Sequence, residues 1–295
     1  MRILITGATG FVGRNLVPAL ASNHELYLLV RDLSKTIQYF SDKVACIVLD
    51  ENWKAAVKAS NPEIVIHLAS YLTSSDDALV IDNLLDSNIV FGTHLLNALS
   101  STNLQYFINT GTFAEYLSNN PSAPEPAYLY AASKTAFRSI LQYYQAIIGF
   151  KTINVIPYTI YGGKDSQRKL MDIIYDSLDA KQTTQMSPGD QMLDFIHVDD
   201  VVNFYMHLID CISVFKNNYS EIHLGTGIGS SPRMVAKLLE DLTGSVANIN
   251  WGGIAYRKRD TMHSVVIANQ ASDYFEWQPQ ISLKAGIKIY LDQKQ

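Results

Sequence analysis

Tyr130-Ala131-Ala132-Ser133-Lys134 sets a phenol and an ammonium four residues apart. On a helix that is one turn, so both side chains share a face. A tyrosine with a pKa of about 10 is a poor base at neutral pH, and a lysine cation beside it favours the phenolate. Such a pair can pass a proton to or from a carbonyl or carbinol oxygen while a hydride moves to or from a redox cofactor. The spacing is common on helices, so its meaning rests on what surrounds it. A second cluster supplies that context. The β-branched run at residues 2–6 leads into Gly7-Ala8-Thr9-Gly10-Phe11-Val12-Gly13, and a helical pattern follows. Glycines at this spacing let the chain turn sharply, approach a pyrophosphate and pack the helix on the strand, while the helix start offers free N–H groups. A glycine triplet alone is weak, but a strand-turn-helix that opens an alternating chain is the setting the motif requires. Residues Gly7, Thr9, Gly10, Phe11, Val12 and Gly13 therefore form a dinucleotide-binding loop.

The end of the second strand decides which dinucleotide. An acid there accepts from the ribose 2′-OH, whereas an arginine pairs with a 2′-phosphate. This strand ends Leu29-Val30-Arg31-Asp32. Arg31 favours NADP and Asp32 keeps NAD possible. Asp50, closing the third strand, is placed to meet the adenine amino group. Leu68, Ala69 and Ser70, after the fourth, line the far side of the cofactor.

The elements that must hold these residues alternate. Strands are expected over 2–6, 25–30, 44–49, 64–68, 105–109 and 151–156, with helices at 11–21, 79–100 and 130–148. The strands are nearly continuous in apolar residues, which suits a parallel sheet covered on both faces. The fold class is α/β, a Rossmann-type doubly wound parallel sheet with a smaller C-terminal substrate-binding lobe. Residues 1–163 form the dinucleotide-binding domain, and 164–295 mainly the lobe, with some segments returning to the sheet. The proline-rich stretch at 121–126 reads as a surface loop before the Tyr130 helix.

With these pieces assembled, the chain resembles the extended short-chain dehydrogenases, the group of NAD-dependent nucleotide-sugar epimerases, dehydratases and ketoreductases. The resemblance spans nearly the whole length. It is carried by the glycine loop, His67-Leu68-Ala69, Asn88 with Gly92-Thr93, Tyr130 with Lys134, Tyr161-Gly162, and Gly189-Asp190-Gln191 leading into Asp194-Phe195-Ile196-His197-Val198-Asp199-Asp200-Val201. It implies that Thr112, four residues before Tyr116, completes a triad with Tyr130 and Lys134 by hydrogen-bonding the reacting oxygen; Thr110 is the fallback. It also implies that Asn88 orders the site and that Pro157 touches the cofactor. Substrate contacts are expected from Ser70, Thr112, Thr159, Lys169, Gln191, Arg257 and Arg259.

Three departures narrow the chemistry. Relatives that eliminate water carry two acids directly after the threonine, whereas here Phe113-Ala114 follow Thr112, which argues against a dehydratase. The arginine before Asp-Phe is Leu193, so Arg257, Arg259 or Lys169 inherits its contact. The loop before Tyr161-Gly162 reads Pro157-Tyr158-Thr159 in place of the usual Arg-x-x-Asn. The central and C-terminal stretches look most like nucleotide-sugar 4-ketoreductases of deoxysugar pathways, such as CDP-abequose synthases and dTDP-4-keto-6-deoxyhexose reductases. The expected activity is NAD(P)H-dependent reduction of a nucleotide-activated 4-keto-6-deoxyhexose. A 4-epimerase with tightly held NAD is the alternative, and a non-catalytic dinucleotide sensor the distant one.

Composition agrees with that reading. A net charge of −5 over 295 residues offers no attraction to nucleic acid or a membrane surface, and no apolar run approaches bilayer length. With a strand at its very start and two cysteines in apolar stretches, Cys46 and Cys211, the chain reads as cytoplasmic, the cysteines filling core positions. Relatives often pair through two long helices, so a homodimer through 79–100 and 130–148 is expected. The seven histidines show no metal-ligand spacing. His67 and His197 read as structural, Asp199-Asp200 as helix capping, and Gly225-Thr226-Gly227 as a turn. Trp53, Trp251 and Trp277 read as packing residues.

Overall fold

The computed structural model describes residues 1–40, 44–121, 123–163, 168–267 and 270–294; Ser122 of the expected loop lies outside them. The first half runs β1 (Arg2–Thr6), α1 (Phe11–Leu20), β2 (Glu25–Val30), α2 (Leu33–Phe40), β3 (Ala45–Val48), α3 (Trp53–Ser60), β4 (Ile64–His67), α4 (Ala78–Leu85), α5 (Phe91–Leu99), β5 (Tyr106–Thr110), α6 (Leu129–Ile148) and β6 (Lys151–Pro157). The second half runs β7 (Thr159–Tyr161), α7 (Leu170–Asp176), β8 (Thr184–Met186), β9 (Met192–His197), α8 (Val198–Asp210), β10 (Tyr219–Leu224), β11 (Gly229–Ser230), α9 (Pro232–Thr243), β12 (Ile249–Trp251), β13 (His263–Ser264) and α10 (Leu283–Asp292).

Seven strands form one parallel sheet in the order β10-β6-β5-β4-β1-β2-β3. The chain moves outward from β1 to β3, then crosses back to β4 and continues the other way. That reversal opens a crevice at the C-terminal ends of β1 and β4, where open α/β sheets take their ligands. Alternation along β1 explains why both faces are covered. Ile3 and Ile5 join one buried cluster with Leu16 and Leu20 of α1 and Phe204 and Leu208 of α8. Leu4 points the other way, into a cluster with Val57, Leu95, Leu99, Phe137 and Leu141 from α3, α5 and α6. Buried on both sides, such strands need no polar face. Outside the sheet, α7, α9 and α10 enclose a third core around Ile174, Leu239 and Ile287.

Two expectations need correcting. The helix expected over 79–100 is α4 and α5 joined by a π turn at Asp86–Val90. A π turn inserts one residue into the 3.6 period. Asn88, within it, is buried. Its Oδ1 accepts the Tyr71 N–H at 2.7 Å and its Nδ2 donates to Ser133 Oγ at 3.0 Å, tying the loop after β4 to α6. The two cysteines are free and half-buried rather than fully buried, Cys46 packing against the main core. No helix among the described residues is long and apolar enough to cross a membrane.

The motifs set aside as structural have specific tasks. His197 rather than an aspartate caps α8, its Nδ1 accepting the Asp199 N–H at 3.2 Å. Asp200 instead accepts the Gln280 and Ile281 N–H groups at 3.0 and 2.9 Å, pinning the segment before α10. The Gly225-Thr226-Gly227 turn wraps around the fully buried Asp194 carboxylate, donating the Thr226 and Gly227 N–H groups at 2.8 and 2.7 Å. The anion at that turn is therefore the protein's own.

Candidate active site

The turn from β1 into α1 is built from close backbone approaches. Gly7 has φ +71°, and a Cβ there would lie 2.6 Å from the Ala69 nitrogen. A Cβ on Gly13 would lie 2.4 Å from the Gly7 carbonyl oxygen. Any side chain at either position would push the turn off β4 or α1 off β1. Gly10 caps α1 with no side-chain bond, and the first turn of α1 carries no acid. Its N–H groups and dipole are thus left to a phosphate, and the residues present fit a dinucleotide. The Thr6 hydroxyl fixes the opposite wall. It meets His67 Nδ1 at 2.9 Å and accepts the Ala69 N–H at 3.2 Å. Burial holds the His67 pKa down at about 3, so the ring is neutral and structural.

Beyond the glycine loop lies a cavity of about 660 Å³. It brings together most of the sequence-derived candidates: Gly7, Gly10, Phe11, Val12, Gly13, Leu68, Ser70, Thr112, Tyr130, Pro157, Thr159, Lys169 and Arg257 all line it. Lys169 Nζ sits 3.5 Å over the Phe11 ring, and Arg257 lies over the Tyr128 ring at 5.7 Å. Thr9, Ala69, Lys134 and Asn88 are not among the lining residues; Lys134 and Asn88 are buried. Arg31 is exposed at the end of β2, and Asp50 is exposed after β3, its Oδ1 accepting the Asn52 N–H at 2.8 Å. Gln191 and Arg259 are not among the lining residues; Arg259 pairs with Glu125 at 3.1 Å and donates to the Pro126 carbonyl. Thr110 lines the cavity, but its hydroxyl meets Tyr205 at 3.1 Å, which leaves Thr112 the better-placed threonine.

Tyr130 and Lys134 are both buried on α6. The expected drift toward phenolate is not what this cavity produces. Burial pushes the Tyr130 hydroxyl upward, only partly countered by a hydrogen bond with Ser70, so Tyr130 is a phenol at neutral pH. Burial also lowers Lys134, to about 8, against the pull of Glu115. A buried lysine cation is costly to keep, and here it deprotonates within reach of ordinary assays. Activity that needs this cation is expected to fall above about pH 8, on the basic limb of kcat/KM for the free enzyme. Glu115→Gln removes the raising influence and should move that limb lower; a pH profile of both proteins checks it.

Thr112 opens a short 3-10 helix (Phe113–Glu115), its Oγ1 accepting the Ala114 N–H while Glu115 Oε1 accepts the Thr112 N–H at 2.9 Å. This reciprocal cap orients the hydroxyl, which keeps its proton for a donor role. Glu115 was not foreseen. It is fully buried and faces away from the cavity, held by Thr135 at 3.0 Å and by an ion pair with Arg138 at 3.1 Å. Phe113, Tyr128 and Tyr158 were also missed as cavity walls, because isolated aromatic residues in a sequence look like core.

Comparison with known proteins agrees with this geometry. Residues 3–219 match the model of the "NAD dependent epimerase/dehydratase family". A CDP-abequose synthase of Salmonella typhimurium is 28% identical, over 98% of this chain and 97% of that protein. A UDP-glucose 4-epimerase of Mycolicibacterium smegmatis is 25% identical, over 97% of this chain and 96% of that protein. The solved structure of MoeE5 with UDP-glucuronic acid and NAD superposes with a TM-score of 0.85 at 20% identity, covering 100% of this chain and 99% of that one, and so shares the fold. A glycine loop built for a pyrophosphate, a buried Tyr130-Lys134 pair and a match over 3–219 lead to one conclusion: the chain belongs to the NAD-dependent epimerase/dehydratase family.

Proposed function

We propose that this protein reduces the C4 keto group of a nucleotide-activated 4-keto-6-deoxyhexose, within deoxysugar biosynthesis. The observation that carries the reading is the cavity floor around Thr112. Thr112 and Tyr130 both face the cavity, Tyr130 is kept as a proton-bearing phenol, and no acid follows Thr112 until Glu115, whose carboxylate is turned inward. That set can protonate one oxygen, and the two positions directly after Thr112, Phe113 and Ala114, carry no acid to eliminate water. When bound at the glycine loop, a reduced nicotinamide cofactor supplies the hydride to C4. Thr112 donates a hydrogen bond to the carbonyl oxygen and polarises it, Tyr130 delivers its proton to that oxygen, and Lys134 holds positive charge behind the phenol. Carbonyl, hydride and proton together give the C4 alcohol. The similarity to CDP-abequose synthase supports this choice. The similarity to UDP-glucose 4-epimerase keeps one alternative, in which the same residues oxidise and re-reduce C4 with no net cofactor consumption. Progress of nicotinamide oxidation with a nucleotide 4-keto-6-deoxyhexose separates the two.

NADPH is the favoured cofactor under this reading. Arg31 and Asp32 are both exposed at the end of β2, but Asp32 is engaged as the cap of α2, its Oδ1 accepting the Lys35 N–H at 3.0 Å, which favours Arg31 as the side chain that meets the ribose end. Arg31→Glu is expected to reduce kcat/KM for NADPH by roughly tenfold or more, the worth of a charge-assisted bond, and to change NADH use little; equal effects on both would remove Arg31 from this role. The lobe beyond residue 163 binds the nucleotide sugar, with Lys169 and Arg257 nearest the diphosphate. The outer faces of α4 and α6 expose Leu79, Tyr143 and Ile147 at 91%, 62% and 60%, an apolar surface suited to a homodimer.

A further inference from the structure

Beside Thr112 the cavity wall is aromatic. The rings of Phe113 and Tyr158 stack with centroids 5.8 Å apart and planes 26° apart, and both line the cavity. A tyrosine there would ordinarily offer a hydroxyl to a sugar, but this one is committed elsewhere. Tyr158 Oη lies 3.2 Å from His223 Nδ1, and His223 Nε2 lies 3.2 Å from Glu221 Oε1. Glu221 accepts from Arg138 at 3.0 Å, Tyr219 at 2.7 Å and Asn154 at 3.1 Å, and so stays ionised. The ionised Glu221 carboxylate accepts from His223 Nε2, and Tyr158 Oη is paired with the other ring nitrogen. The polar end of Tyr158 is therefore anchored in the buried network, and the substrate meets the ring. Behind it, Tyr116, Ile156 and Val266 pack the same cluster and hold the ring in place.

Resting on the reading of Thr112 as the residue that bonds the reacting oxygen, we propose that the Phe113–Tyr158 pair is the specificity-determining wall that selects sugars with a methyl group at C6 over those with a C6 hydroxyl. A methyl or methylene edge lies against such a wall at no polar cost. A hydroxyl in the same place gives up water and finds no partner among these rings. His223 and Glu221 act through Tyr158 and are positioning residues.

The test measures dissociation constants by calorimetry, with the protein saturated in NADP⁺, for a nucleotide 6-deoxyhexose, the matched nucleotide hexose and the free nucleoside diphosphate, in the CDP and dTDP series. The expected preference for the deoxy sugar is roughly 10- to 100-fold, the range over which an apolar pocket tells a methyl-bearing ligand from its hydroxyl analogue. Phe113→Asn and Tyr158→Asn should each collapse that ratio toward unity, and Tyr158→Phe should leave it standing because the ring remains. A wild-type ratio near one, or a ratio lost in Tyr158→Phe, overturns the proposal. So does an equal loss of affinity for the free diphosphate in Phe113→Asn, since the rings would then be holding the base. Binding is read without turnover, so failure of the proposed reductase activity and failure of this selection are separate results.

Discussion

Tyr130→Phe is expected to lower kcat by roughly 10²- to 10⁴-fold, the usual contribution of a positioned general acid, while NAD(P)H affinity and melting temperature stay close to those of the parent. The reason lies in what phenylalanine keeps. Tyr130 is 6% exposed, and its ring stacks on Tyr128 at 6.1 Å. Phenylalanine preserves that ring and its packing and removes only the oxygen that carries the proton. Ser70 loses a partner but sits at the exposed cavity edge, where water replaces it. Lys134, buried one turn further along α6, is untouched, and the glycine loop belongs to β1 and α1, so cofactor affinity is expected to hold. Steady-state kinetics with a fluorescence titration of NAD(P)H separates the two effects. Full activity in Tyr130→Phe would remove the residue from the chemistry, and lost cofactor affinity would make its role one of binding.

The second large effect concerns stability. Arg138 bridges Glu115 at 3.1 Å and Glu221 at 3.0 Å, with side chains 12%, 0% and 18% exposed respectively. Replacing the guanidinium with leucine leaves two buried carboxylates without their cation, a loss of about 3–5 kcal/mol. Thermal or urea unfolding should report it, and adding Glu115→Gln should recover part of it. An Arg138→Leu protein as stable as the parent would show that the network contributes nothing to folding. The pH dependence has a defined sign. Burial pushes the Glu221 carboxyl up, but hydrogen bonds from His223, Tyr116 and Tyr219 and the charge of Arg138 more than reverse this, holding it at about 2 against an ordinary 4.5. A depressed folded-state pKa adds stability above the unfolded value, so this contribution is present above pH 4.5 and is lost as pH falls toward 2. Glu115 is raised by burial and acts in the opposite direction. In Arg138→Leu the acid-side loss attributable to Glu221 should shrink.

Much of the sheet was legible because each strand from β1 to β6 is a short apolar run bounded by turn residues, and burial on both faces imposes that pattern. The glycine loop was legible for a related reason, since a positive φ at Gly7 and a backbone contact at Gly13 admit no other residue type. The π turn around Asn88 was not, because one inserted residue shifts the helical period without changing composition. In the second lobe, β11 and β13 are two residues long and β7, β8 and β12 three, too short for alternation to register. Thr112 and Tyr130 both line one cavity. Their support did not announce itself. Glu115, Arg138 and Glu221 are drawn from three separate elements spread over 107 positions, and no local pattern links them. Tyr158 and His223 were hidden likewise, the first between β6 and β7 and the second near the end of β10, where an aromatic residue looks like packing.

The most direct test of the account mixes purified protein, one equivalent series of a nucleotide 4-keto-6-deoxyhexose and NADPH, and follows reduced nicotinamide alongside the sugar product. The account predicts one NADPH oxidised for each C4 alcohol formed, with neither seen in Tyr130→Phe. Inversion at C4 of a nucleotide sugar with no net NADPH loss would contradict it.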